Sequence, residues 1–351
     1  YCQPYQPICQ VINMTQRNPF IINSGNDPKS NDTYIVENTL MFNSHSIPSN
    51  TKSLIFGGLI NEYITPGLLP DTLKSILFGT SFNQPIDHGC LPSSLTSLSF
   101  GDHFDQPLEP RVLPPSLKSL TFGNLYDHTF KKNTLPSTLT QLSLGIYYLK
   151  PINPGILPSS ITSLVLGQGY NQPLSPDVLP MSLTELTIGE HFKQLANVDM
   201  VSFPANLQRL NIHNVTQLCY LTCKPHSIEH LIVQRPYVEP RNFDPIQPTQ
   251  GLKILEITTN IRLFTSYIRF MELYSYFHHK FPGVQTIHLY VDGNSYYKET
   301  VFKFRLMDRL PRQPAQVLFT LRHTHKSGPT LFDHIPTSPD LDDESLKPKT
   351  I

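Results

Sequence analysis

Apolar residues recur along this chain in one fixed phase. Leu95, Leu98 and Phe100 are followed 22 residues later by Leu117, Leu120 and Phe122, and then by Leu139, Leu142 and Leu144. Leu73, Ile76 and Phe78 precede them, and Ile161, Leu164, Leu166 and Leu183, Leu186, Ile188 continue the series. In each unit the last two apolar positions alternate with small polar ones, as Leu98 and Phe100 do with Ser97 and Ser99. That period of two predicts a short strand with one buried face. A strict repeat of this length predicts a stacked array with one strand per unit and each strand parallel to its neighbours. At about 4.8 Å between strands, seven units give a sheet on the order of 30 Å long.

Two combs punctuate the strands. Glycine follows each one, at Gly57, Gly79, Gly101, Gly123, Gly145, Gly167 and Gly189, and proline precedes each one, at Pro48, Pro70, Pro92, Pro114, Pro136, Pro158 and Pro180. The glycine marks a place where a Cβ would obstruct a tight turn or a neighbouring aromatic ring. Three residues later stand Phe82, Phe104, Tyr126, Tyr148, Tyr170 and Phe192, which predict a stacked spine inside the coil. An exposed aromatic ladder is the alternative, and exposed apolar ladders invite aggregation. Asn83-Gln84-Pro85, Asp105-Gln106-Pro107 and Asn171-Gln172-Pro173 come next; the Asn or Asp suits a turning backbone and the Pro an extended return. A return this short, broken by proline, leaves no room for a helix of several turns.

These segments, Leu91 to Leu108 together with Ser81-Phe82-Asn83-Gln84-Pro85-Ile86, resemble the FNIP repeat, a 22-residue relative of the leucine-rich repeat. The Leu-Pro-x-Ser-Leu start of each strand is also similar to the short repeats of bacterial effector proteins. The resemblance implies a leucine-rich-repeat solenoid, and the residues add to it one parallel sheet of 22-residue repeats with extended convex returns and an α/β cap toward the C-terminus. The family is abundant in dictyostelid amoebae and in giant viruses that infect amoebae. Many members carry an F-box ahead of the repeats, which makes them substrate receptors of a ubiquitin ligase. Residues 1–40, rich in Pro, Asn and Gln, do not resemble that helical module.

The regular repeats occupy residues 48–195. Ahead of them, residues 1–47 hold an N-terminal segment and a capping strand within Tyr34 to Phe42 that covers the sheet edge. Residues 196–332 read as degenerate, longer repeats: Leu207, Leu210 and Ile212 come 24 residues on, with His213 where glycine would stand. Ile228, Leu231, Val233, then Leu252, Leu255, Ile257, then Val284, Ile287, Leu289 follow, with an amphipathic helix at 264–281 and a last strand at Val317 to Leu321. Residues 333–351, proline-bearing and acidic, read as a disordered tail.

Composition narrows the function. Twenty-seven basic and twenty-seven acidic residues cancel, which argues against a nucleic-acid partner. No apolar run reaches the roughly 20 residues of a membrane helix. The chain shows no nucleophile elbow, phosphate loop or His-Glu-x-x-His, so an enzyme is not expected and no cofactor is implied. A protein partner is. The outward strand rows, Ser53, Ser75, Ser97, Ser119, Gln141, Ser163, Glu185 and Ile55, Leu77, Ser99, Thr121, Ser143, Val165, Thr187, form a neutral face that either docks protein or merely hydrates the strands. Anchors would come from its rim, at Asp102, His103, Asn124, Tyr147, Glu190 and His191. One cluster, Cys219, Cys223, His226 and His230, has spacing for zinc, with buried thiols as the alternative.

The expectation is a non-catalytic recognition scaffold of adaptor or substrate-receptor type. The alternative is a structural or surface protein, secreted or carried on a virion. Sequons at Asn13, Asn31 and Asn214, and a Cys2–Cys9 pair, belong to that alternative. The compartment, host cytoplasm or virion and extracellular surface, stays open.

Overall fold

The structure is a computed structural model that describes residues 32–36, 47–196, 201–214, 217, 228–235, 253–260, 286–292, 300–306 and 317–322. It divides into two units, Tyr1–Glu229 and His230–Ile351.

The first unit contains β1 (Thr33–Val36), β2 (Ser53–Phe56), β3 (Ser75–Leu77), β4 (Ser97–Ser99), β5 (Ser119–Thr121), β6 (Gln141–Ser143), β7 (Ser163–Val165), β8 (Glu185–Thr187) and β9 (Arg209–Asn214). Each pairs in parallel with the next. The register is the one the repeat predicts: Ile76 lies beside Leu98, Leu98 beside Leu120, Leu120 beside Leu142. Even the irregular step obeys it, with Leu186 opposite Leu210 across 24 residues.

In the repeats of the first unit the predicted inward columns are buried. The coil from Leu91 to Val112 encloses Leu91, Leu95, Leu98, Phe100, Phe104, Leu108 and Val112, each of them buried. At about 2 kcal/mol per side chain, one coil gains on the order of 14 kcal/mol of gross apolar burial, before the chain entropy that opposes it. The spine is double. Phe82, Phe104, Tyr126, Tyr148, Tyr170 and Phe192 stack with centroids 6.0–6.3 Å apart. A second file, Phe56, Phe78, Phe100 and Phe122, stacks at 5.0–5.6 Å. The two touch within each coil, as Phe100 and Phe104 do at 3.8 Å.

The glycine comb has a cause other than the two expected. A Cβ on Gly101 would overlap the carbonyl of Gly79 and lie 2.9 Å from the Thr80 Cα. Gly123, Gly145, Gly167 and Gly189 meet the glycine one coil back in the same way. The obstacle is therefore the backbone of the preceding coil and not an aromatic ring. The carbonyls of Gly79, Gly101, Gly145 and Gly167 also close a turn, accepting the aromatic residue's N–H, as in Phe82 N–H to Gly79 O at 3.1 Å and Phe104 N–H to Gly101 O at 3.2 Å.

Hydrogen-bond ladders run along the returns. Asn61, Asn83, Asp105 and Asp127 each accept through Oδ1 the backbone N–H of the residue at the same place one coil on: Asn83 to Asn61 at 2.7 Å, Asp105 to Asn83 at 2.9 Å, Asp127 to Asp105 at 3.1 Å, Leu149 to Asp127 at 2.8 Å. These bonds link coils; they are not the local turn contacts the residue type suggests. A hydroxyl ladder, unseen in the sequence, joins Ser94, Ser160 and Ser182 to the carbonyls of Leu73, Leu139 and Ile161 at 2.5–2.6 Å. A third hidden column holds the backbone at positive φ: Gly67, Gly89, Arg111, Asn133, Gly155 and Asp177. Each is the third residue of a turn closed by a bond such as Leu68 N–H to Thr65 O at 3.1 Å. Pro66, Pro110, Pro154 and Pro176 precede four of them, the arrangement of a type II turn.

The second unit contains β10 (His230–Arg235), β11 (Ile254–Asn260), β12 (Thr286–Asp292), β13 (Thr300–Leu306) and β14 (Val317–Arg322). β10, β11 and β12 are parallel, in the predicted register of Leu231 with Leu255 and Leu255 with Ile287. β13 and β14 then pair antiparallel, a change of direction the sequence reading did not include. Its signal was present: Phe302, Phe304 and Leu306 alternate with Lys303 and Arg305. The helix expected at 264–281 and the tail at 333–351 lie outside the described residues.

Candidate interaction surface

The turns that follow the strands stack into a continuous edge, and this edge carries all six rim residues singled out by sequence. Asp102 and His103 sit in one turn, Asn124 in the next, Tyr147 in the one after, and Glu190 and His191 two coils further on. Backbone bonds tie successive turns together: His103 N–H to Thr80 O at 2.9 Å, Leu125 N–H to Asp102 O at 2.9 Å, Tyr147 N–H to Asn124 O at 3.0 Å. The edge is held from below by the spine and from behind by the Asn ladder.

Its side chains divide into two kinds. Asn124 Nδ2 donates to Asp102 Oδ1 at 2.8 Å, and Lys150 lies 3.0 Å from Asp127 Oδ2. Asp105 Oδ1 receives the Asp127 N–H and stands 3.1 Å from His128 Nε2. His191 Nδ1 contacts the Gln168 carbonyl at 3.0 Å. Glu190 Oε2 lies 3.2 Å from Nε2 of buried His213, the residue that takes the glycine's place where the comb ends. The His213 N–H is accepted by Gln217 Oε1 at 2.8 Å, and Gln217 Nε2 donates to the Gly189 carbonyl at 2.8 Å. Glu190 thus belongs to the closure of the regular array.

Against this polar background stand four exposed apolar side chains: Leu59 at 88%, alone in the turn after β2, and Leu125 at 43%, Tyr147 at 55% and Leu149 at 48%, which fall together in two successive turns. Leu149 leans over Gly169, where an added Cβ would come within 3.0 Å of Leu149 Cδ2. Leu125 and Leu149 were missed in the sequence because each is ordinary alone. Their columns give them context: Leu59, Ser81, His103, Leu125, Tyr147, Gly169 and His191 in one, and Asn61, Asn83, Asp105, Asp127, Leu149, Asn171 and Lys193 in the other.

The outward strand rows are where they were expected. Ser97, Ser99, Thr121, Ser143 and Ser163 are half-buried, Ser119 and Thr187 buried, and Leu77 exposed. Cys90 is buried with its thiol on the Ile64 carbonyl at 2.9 Å, and burial pushes its pKa up, which suits a structural thiol better than a reactive one. Tyr63 donates to Asp87 Oδ2 at 2.6 Å, and this bond first, then burial, pushes its pKa up to about 12. Of the zinc cluster only His230 is described, in β10; Cys219, Cys223 and His226 lie outside the described residues, and among those described no group of three ligating side chains converges. No described helix is long and apolar enough to cross a membrane.

The FNIP Repeat family matches the chain four times in tandem, at residues 42–81, 82–125, 126–169 and 170–215. The last three matches begin on Phe82, Tyr126 and Tyr170, in phase with the spine, and each covers two coils. Residues 42–215 are an array of FNIP repeats. Among solved structures, the crystal structure of CroV588, a giant-virus protein described as a novel circular LRR protein, aligns at 25% identity with a TM-score of 0.48. The alignment covers 62% of this chain and 41% of that one, so this chain spans about two fifths of that protein's length. No curated protein matches the sequence. Solenoids of this kind are generally non-catalytic and consistent with protein-interaction scaffolds. Within the FNIP array, the coil after β6 reads Tyr148-Leu149-Lys150-Pro151 where Phe82-Asn83-Gln84-Pro85 and Tyr170-Asn171-Gln172-Pro173 stand in other coils, so Leu replaces the ladder Asn.

Proposed function

We propose that this protein is a non-catalytic recognition scaffold of the adaptor or substrate-receptor type, and that it engages a protein partner through the turn-side edge. Tyr147, Leu149 and Leu125 are the anchors, with Asp102, His103, Asn124, Glu190 and His191 as the polar surround. One observation carries the reading. The coils on either side keep Asp127 and Asn171 at the ladder position, as the earlier coils keep Asn61, Asn83 and Asp105, yet the coil after β6 places Leu149 there, where its side chain offers Asn171 no acceptor. A ladder contact is given up where three apolar groups reach solvent together. Buried aromatic anchors within a polar rim are how interfaces concentrate binding energy.

The test compares immobilised wild-type protein with the Tyr147→Ser/Leu149→Asn variant and quantifies retained host proteins by mass spectrometry. Selective loss of one or a few proteins on the variant is expected. An unchanged set would sink the reading.

A structural or surface role is the second reading, favoured by the coil-to-coil ladders, which make a stiff building block whether or not anything binds it. Glycan mass on Asn13 or Asn31, or a Cys2–Cys9 disulfide, supports that role. Copurification with a Skp1-type linker protein supports the adaptor.

A further inference from the structure

The chemistry of the partner follows from what flanks the apolar cluster, provided that the turn-side edge is the recognition surface. Four carboxylates lie along this edge, and they are not equivalent. Asp127 is offset by Lys150 at 3.0 Å, and Glu190 faces His213 at 3.2 Å. Asp102 and Asp105, in one exposed turn, are paired with neither lysine nor arginine among the described residues. Their side-chain contacts among the described residues are an Asn124 amide, the Asp127 N–H and the His128 ring, which leave negative charge facing solvent.

That turn lies two coils before the turn of Tyr147, with the Leu125 turn between them. Two coils span about 10 Å at the usual strand spacing, and an extended peptide covers that distance in about three residues at roughly 3.3 Å each. We propose that the edge binds an extended segment carrying a basic residue and, three positions away, a large apolar one. Arginine or lysine lies against Asp102 and Asp105, and the apolar side chain packs on Tyr147 and Leu149. Like charge at the basic position is repelled, so the pair of carboxylates selects as well as binds. Arginine suits the site better than lysine, because its planar fork can hold a carboxylate through two parallel hydrogen bonds.

The test uses fluorescein-labelled twelve-residue peptides in a Gly/Ser background, read by anisotropy against the full chain. Four sequences suffice: Arg-x-x-Phe, Glu-x-x-Phe, Arg-x-x-Ser, and one with Arg and Phe eight residues apart. Wild type is expected to bind Arg-x-x-Phe at least tenfold tighter than the other three, with the preference shrinking as salt rises. The Asp102→Asn/Asp105→Asn variant removes both charges but keeps the ladder, since Asn83 fills the same role one coil back. It should lose the tenfold preference without weakening Glu-x-x-Phe. Tyr147→Ser should weaken Arg-x-x-Phe and Glu-x-x-Phe alike.

Equal binding of the Arg and Glu peptides, or of the near and far spacings, overturns the proposal; so does the absence of binding to any peptide. If Tyr147→Ser still abolishes peptide binding in the first case, the recognition surface stands and only the charge rule falls. If Tyr147→Ser retains the same host proteins as wild type, the surface reading falls as well.

Discussion

A single methyl group added to the glycine comb should cost more than any other change of its size in this protein. At Gly101 the new Cβ would overlap the Gly79 carbonyl and approach the Thr80 Cα to 2.9 Å. Neither neighbour yields easily. The Gly79 carbonyl is already bonded to the Phe82 N–H at 3.1 Å, and Thr80 O holds the His103 N–H at 2.9 Å. Relief requires the two coils to separate, which loosens strand pairs and the ring stack together. Overpacking that backbone must absorb costs about 3 kcal/mol or more. Two other glycines serve as controls. Gly155 sits at φ +75° with nothing within 4 Å, so Gly155→Ala carries only left-handed strain of about 1–2 kcal/mol. Gly58 has open space and no positive φ, so Gly58→Ala should stabilise by about 0.4–1 kcal/mol through the unfolded chain. Urea melts of the three variants test the series, and Ser99→Val on the outward face should fall within about 0.5 kcal/mol of wild type. A Gly101→Ala midpoint equal to that of Gly58→Ala would refute the coil-contact explanation of the comb.

Other outcomes follow from the same geometry. Arg111, at φ 68°, occupies a position where Gly67, Gly89 and Gly155 stand in other coils, so Arg111→Gly should raise stability by about 1 kcal/mol in a thermal melt. Asn83 Oδ1 accepts the Asp105 N–H at 2.9 Å and the Gln106 side chain at 3.1 Å; Asn83→Asp should be near neutral and Asn83→Leu should cost about 1–3 kcal/mol in urea melts. Burial raises the pKa of Tyr126, Tyr148 and Tyr170, the last to about 12. Below pH 10 these phenols are neutral in both states; above it the unfolded chain releases protons that the folded chain keeps, so stability falls as pH rises. The slope is about 1.4 kcal/mol per pH unit for each tyrosine once pH exceeds 10. Replacing all three by Phe should flatten the alkaline decline seen in melts between pH 9 and 11.

The array was legible because its rules are stated in side chains. Glycine, aromatic and leucine columns recur without slippage, so the repeat alone sets Leu98 beside Leu120, and the 24-residue step to Leu210 keeps the same phase. What stayed hidden were rules stated in backbone. The left-handed column tolerates Gly, Arg, Asn and Asp alike, so no single letter marks it. The Ser94, Ser160 and Ser182 ladder looked like part of a strand's polar start, because a hydroxyl bonded one coil back is indistinguishable in sequence from one bonded to water. The Asn column was recognised, but its bonds were assigned to the local turn. At the site, Tyr147 was visible as an exposed aromatic on a rim. Leu149 was not, because its meaning lies in the ladder acceptor it lacks.

That missing acceptor supplies the most direct test of the account, which holds that a rigid array gives up one ladder contact to present an apolar anchor. Leu149→Asn restores the consensus residue. The measurement is paired: urea-melt stability, and mass-spectrometric retention of host proteins on the immobilised variant. The account predicts stability equal to or up to about 1 kcal/mol above wild type, together with loss of the retained partner. An unchanged partner set, or a variant that loses stability along with the partner, would contradict it.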